Sequence, residues 1–237
     1  MLFNKTIDIH FYTNMGYAHD FAGIKTDMDT KPKWFKNIKS STCTDSNIPK
    51  KTLKACPGIQ EYHRKVIQMP LWSDMSLQIG PKGSDWYKWQ FSDGQSFIRD
   101  HPSEVINHYR KEEDFQQLLI ECPWTVKCDQ DVDFLLCQPL WHSFQLPTVS
   151  VTQGVLNFKH QSILNVQTYI TRTNETQDIL VKHGTPIAEL VPLTEKKVKV
   201  HTHLLDNVEY EKLRSSTPYT KFTGSYYHNR KLTNKRL

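Results

Sequence analysis

An antiparallel β-sandwich or jelly-roll-like barrel, mainly β with a few short helices and a basic C-terminal tail, is the fold class the sequence predicts. Three observations carry that prediction. About nine short segments alternate apolar and polar residues with the period of a half-buried strand. Aromatic residues reach 11%, with Tyr and Phe most numerous, and these side chains favour pleated, packed surfaces. Helical patterns are few and do not alternate regularly with the strands, so a doubly wound β/α fold is not indicated.

The elements follow in order. Residues 6–12 alternate Ile7, Ile9 and Phe11 against Asp8, His10 and Tyr12, which reads as a strand. Residues 26–49 are rich in Lys, Thr, Asp and Ser and are expected to form a long surface segment anchored by Trp34 and Phe35. Residues 57–66 open on Pro57 and continue without a breaker, a short helix. Residues 69–79 read as one strand, 80–83 as a Gly/Pro turn and 86–91 as its hairpin partner. Residues 102–119 are polar with helical spacing at Val105, Ile106 and Tyr109. Beyond them, 124–128 and 133–137 form a second hairpin, followed by strands at 148–158, 163–173, 179–181, 187–193 and 198–204. A short helix capped by Asp206 or Asn207 closes the pattern near Arg214.

Length and composition suit one β-rich domain, placed at 1–211, followed by a basic, aromatic-containing tail at 212–237. From Lys212 onward there are seven Lys or Arg and no acid, within a net charge of +5 for the whole chain. Tyr219, Phe222, Tyr226 and Tyr227 point to a tail that docks. Arg230, Lys231, Lys235 and Arg236 are its candidate contacts with nucleic acid or an acidic surface. No apolar run reaches the roughly 20 residues of a membrane helix, and the N-terminus lacks a signal-peptide core. The expected location is a host cytoplasm or a virus particle, without a membrane partner. The five Cys show no Cys-x-x-Cys spacing and read as reduced thiols.

Several segments taken together resemble a known group. They are Pro32-Lys-Trp34-Phe35, Cys56-Pro57, Met69-Pro-Leu-Trp72-Ser-Asp74, Pro123-Trp124, Gln138-Pro-Leu-Trp141-His142, Asn165 and Gly184-Thr-Pro-Ile-Ala-Glu189-Leu-Val-Pro192. In this order they resemble an uncharacterised family of proteins from marine bacteriophages, cyanophages in particular, over roughly residues 31–200. The resemblance implies a viral gene and a β-rich fold, and no established activity. Where that family tends to have Gln after its Gly-Thr-Pro-Ile-Ala, this chain has Glu189. Gly184 to Val191 is also similar to a late strand of trimeric dUTP pyrophosphatases, but the uracil-site and phosphate-binding motifs of those enzymes are missing.

Three constellations could carry function. Asp74, His101 and His142 are the ligand types of a non-haem iron site, so a divalent metal is the one cofactor the sequence raises. His201-Thr-His203 with Glu209 is similar to the His-x-His…Glu part of cupin metal sites, without the Gly before it or a later His. Trp72, Trp89 and Trp141 on strands could stack a sugar or a base. Gly-rich phosphate loops and a Gly-x-Ser-x-Gly elbow are absent from the sequence. The reading with most support is a phage-encoded accessory or virion-associated protein acting by binding, with virion or host proteins, nucleic acid through the tail, or a second copy as partners. The competing reading is a metal-dependent oxygenase or isomerase on a double-stranded β-helix, and a third is a nucleic-acid or host-factor binder acting through the basic tail.

Overall fold

A computed structural model describes residues 6–43, 48–95, 97–99, 113–145 and 148–216. Fifteen strands, named here in chain order among these residues, build three main sheets and one small hairpin. The first sheet runs β10 (Val149–Val151), β12 (Ile163–Thr171), β8 (Phe115–Lys127), β1 (Thr6–Thr13) and β15 (Lys197–Leu204), with β7 (Ile98–Arg99) also paired to β8. The second runs β11 (Gly154–Asn157), β9 (Asp133–Cys137), β14 (Pro186–Pro192) and β4 (Ile67–Pro70). The third is β13 (Gln177–Val181), β5 (Met75–Ile79) and β6 (Tyr87–Phe91). The hairpin of β2 (Ser41–Cys43) and β3 (Pro49–Lys51) is exposed throughout. The mainly antiparallel, sandwich-like architecture expected from the alternation is therefore present.

One pairing departs from the antiparallel rule. β1 and β15 run parallel, with Thr6 opposite Lys197 and Thr13 opposite Leu204. The strict alternation of β1 buries Ile7, Ile9, Phe11 and Thr13 and turns Asp8, His10 and Tyr12 outward. All three sheets deliver side chains to a single core. Phe11, Trp72, Phe91 and Phe134 are its largest fully buried members. That core is filled. The hollow between the first and third sheets has a volume of about 30 Å³, with Leu77, Ile120, Ile170 and His142 among its walls. This is room for about one or two waters and far below the several hundred Å³ a small-molecule site needs.

Several expected boundaries shift. The strand anticipated over 69–79 is two strands, because the chain leaves β4 at Pro70 and crosses from the second sheet to the third before β5. At the crossing, Leu71 pairs by backbone with the Gly184–Thr185 turn, at 2.7 and 2.8 Å. Residues 115–119, expected to continue a helical region, belong to the 13-residue β8. Their pairing with β12 along Thr171 to Gln167 overrides the polar, helix-like local sequence of Gln116 and Gln117. The 26–49 segment is not all surface. A 3-10 turn at Asp27–Thr30 buries Thr30, and helix α2 (Lys33–Asn37) buries Phe35.

Three further helices lie among the described residues. Helix α1 (Gly16–Phe21) follows β1, and α3 (Pro57–Lys65) has Pro at its start, where a missing N–H costs nothing. Helix α4 (Asn207–Ser216) crosses the boundary expected at 211/212, so residues 212–216 are helical. Its Tyr210 is buried against β8, within 3.2 Å of the Thr125 hydroxyl. No helix among the described residues is long and apolar enough to cross a membrane.

Truncating the stacked core ring by Trp72→Ala should cost about 3–5 kcal/mol in urea unfolding. Leu180→Ala, on an outward strand position 59% exposed, should stay within about 0.5 kcal/mol of the parent.

Candidate binding groove

Trp34, Phe35, Trp141, His142 and Glu189, distant in sequence, meet around one buried network. Glu189 sits on β14 with no exposed surface, in an otherwise apolar strand. The Tyr62 hydroxyl of α3 donates to its Oε2, and Nε2 of Gln68 on β4 donates to Oε1 at 2.7 Å. The same Gln68 amide reaches the Thr30 carbonyl at 3.3 Å, and Nε2 of His142 donates to that carbonyl at 3.1 Å. The Thr30 hydroxyl donates to the Asp27 carbonyl at 2.7 Å and lies 3.2 Å from Nδ1 of buried His63. Phe35 and Trp141 pack on His63 with ring centroids 5.3 and 6.1 Å away, Trp34 packs on Trp141 at 6.1 Å, and the Trp34 indole donates to the Trp141 carbonyl at 3.2 Å.

Burial sets the protonation of this network. Desolvation raises the Glu189 carboxyl above its ordinary range despite the Tyr62 and Gln68 hydrogen bonds, and no basic side chain among the described residues pairs with it. Desolvation, then nearby Lys31 and His142, bring His63 down to about 4. His142 is lowered by the same burial. Burial thus disfavours the charged form of each of these three groups, as a low-dielectric interior does.

The residues proposed from sequence separate into different places. Trp72 is fully buried, with its ring stacked on Phe91 at 5.9 Å and edge-on to Phe97 at 5.0 Å, so it offers no face to a ligand. That corrects the expectation of a stacking platform there: the indole fills the core instead. Trp89 is half-buried on β6, opposite Leu77. Trp141 and His142 belong to a 3-10 turn at Leu140–Gln145 and join the network above.

Asp74 lies elsewhere. Its carboxylate accepts from the His183 N–H at 2.8 Å and from Lys182 Nζ at 2.9 Å, and lies 3.0 Å from the His183 ring. These partners, the His183 backbone first, hold it far below the usual carboxylate range. Among the described residues Asp74 and His142 share no hydrogen-bond partner. His101 and the tail residues Arg230, Lys231, Lys235 and Arg236 lie outside the described residues. Among the described residues no three His, Cys, Asp or Glu side chains are placed to hold a metal ion. His201 and His203 do share a face, as expected, but both are engaged. His201 Nε2 meets Asp8 at 2.8 Å, His203 Nε2 meets His10 Nδ1 at 3.0 Å, and the rings of His201, His10, His203 and Tyr12 form a continuous stack.

A groove of about 630 Å³ opens beside this stack. One wall is β15 from Lys197 to His201, together with the preceding loop residues Glu195 and Lys196. The facing wall is the end of α3 (Glu61, Arg64, Lys65) with Thr26 and Asp27, and Val66 and Ile67 form its floor. The groove is therefore the seam between β15, the edge of the first sheet, and β4, the edge of the second. Five basic side chains line it against three acidic ones. One of the acids, Glu61, is shared by Arg64 at 3.6 Å and Lys65 at 3.7 Å. These exposed pairs are weak and easily exchanged for a ligand anion. The buried network fixes the far wall, since Tyr62 and His63 of α3, Gln68 of β4 and Thr30 beside Asp27 all belong to it.

No family model and no curated protein matches the sequence.

The raised carboxyl of Glu189 has a signed consequence. A group whose folded pKa is raised contributes its stability in full below the ordinary carboxylate range and loses it as pH rises toward the folded value. Glu189→Gln should therefore remove a pH-dependent loss of up to about 1.4 kcal/mol per pH unit above the ordinary carboxylate range. Denaturant midpoints of the two proteins, compared from pH 4 to 8, should diverge upward in favour of the variant; parallel curves would refute the assignment.

Proposed function

We propose that this chain is a phage-encoded accessory or virion-associated protein that acts by binding, and that the groove along β15 is its receptor surface. The single observation that carries the binding part is a basic seam between two sheet edges, open to solvent and backed by a rigid buried network. The phage part rests on the resemblance. It is supported by the way the motif residues Trp34, Phe35, Trp141, His142 and Glu189 gather around one structural network behind the groove. The partners are other virion or host proteins, encountered in the host cytoplasm or in the particle.

The oxygenase or isomerase reading has less support. It would need Asp74 to leave Lys182 and His183 and come together with His142, which donates to the Thr30 carbonyl. Nucleic-acid binding through the tail stands as a further reading, on residues outside the described ones.

Mass spectrometry of purified particles should find this chain at a constant copy number. Paired Lys197→Glu and Lys199→Glu substitutions should lower its incorporation about tenfold or more. Particles without the chain would overturn the virion reading. About one iron, zinc or manganese per chain in protein purified without chelator, lost in His142→Ala, would favour the metal enzyme instead.

A further inference from the structure

Five consecutive residues of β15, Lys197, Val198, Lys199, Val200 and His201, touch the groove. Side chains along a strand alternate between the two faces of its sheet. A hollow touched by both sets therefore runs along the strand's edge and not over one face. β1 occupies the other edge of β15, and among the described residues no strand pairs with the edge on the groove side. Alternate N–H and C=O groups of β15 thus face the groove, a template for another strand.

The side chains specify what would fit. Lys197, Lys199 and His201 lie on the outer face, opposite Thr6, Asp8 and His10 of β1. Val198 and Val200 lie on the inner face, opposite Ile7 and Ile9, toward the groove floor at Val66 and Ile67. We propose that the groove takes an extended polypeptide segment of alternating acidic and apolar residues, which adds to β15 as a further strand. The acidic side chains would lie beside Lys197 and Lys199, and the apolar ones would pack on Val198 and Val200.

Charge complementarity selects this occupant over the others. Residues 217–237 of the same chain carry five Lys or Arg and no acid, so they would repel the groove. A second copy pairing edge to edge would bring the Lys197 and Lys199 side chains of two β15 strands together, and like charges across a strand pair are destabilising. Single-stranded nucleic acid satisfies the lysines but supplies neither a strand's hydrogen-bond spacing nor side chains for the valines.

This inference rests on the groove being the receptor surface, and its test needs no particles. A fluorescein-labelled octapeptide of Glu-Val repeats, titrated with the full chain, should give saturable anisotropy. Lys197→Glu with Lys199→Glu, both exposed positions, should weaken that binding about tenfold or more while leaving the circular dichroism unchanged. The same peptide N-methylated at alternate residues keeps its charge and loses its donors. It should bind about tenfold or more weakly as well, since each lost strand hydrogen bond counts. Equal binding of the N-methylated peptide, tighter binding of a short oligothymidylate, or no saturable binding would each overturn the proposal. A chain found in particles whose groove ignores the peptide would leave the virion reading standing and remove this one.

Discussion

The structure depends on a carboxyl group placed where charge is most costly. Glu189 lies on an inner strand with hydrogen-bond donors on both oxygens and no cation beside it among the described residues. A buried acid of this kind is tolerable when it is neutral or fully hydrogen-bonded, and each donor is then held in place by the cost of leaving the acid unsatisfied. Tyr62 fixes helix α3, Gln68 fixes β4, and through the Thr30 carbonyl the turn at Asp27–Thr30 and the His142 ring are fixed as well. Segments that share no sheet with β15 are thereby locked into one wall facing it.

That wall gives the groove its shape. Had α3 been attached by surface packing alone, its Arg64 and Lys65 would border a soft hollow. Instead the residues just before them are anchored in the interior, and the cations stand at a set position opposite Lys197 and Lys199. Preorganised charge of this kind costs little on binding, because the partner does not have to order it. The aromatic cover of Trp34, Phe35 and Trp141 excludes water from the network behind, so its hydrogen bonds operate in a low dielectric.

Much of the fold was legible in the sequence because alternation is a local signal. β1, the β5–β6 hairpin and the strand at 198–204 were readable from their alternation, though the first strand of the hairpin was expected to begin at 69. The start of β8 was not, since Gln116 and Gln117 take strand geometry from their pairing with β12 and not from their own preference. The two Pro-Leu-Trp segments show the limit most clearly. Trp72 and Trp141 have the same preceding residues, yet one fills the core and the other covers a polar network. Local pattern cannot carry that distinction, because it depends on which distant strand arrives alongside. For the same reason the groove was not legible as a site: the strand at 198–204 could be read, while its opposing wall is assembled from residues near 27, 61 and 66. Glu189 within an apolar strand was the one local sign that a buried polar network existed.

The parallel pairing of β1 with β15 joins residues as far apart as His10 and His203, separated by 193 positions. Such a contact closes a very long loop, and pairings of this kind are slow to form. During synthesis β1 leaves the ribosome 191 positions ahead of its outer neighbour, as the register of Thr6 with Lys197 sets. The strand that forms one side of the groove is thus among the last parts of the sheet to be laid down. A chain halted just before β15 would hold most of the core and still have β1, apolar on one face, as its unprotected edge.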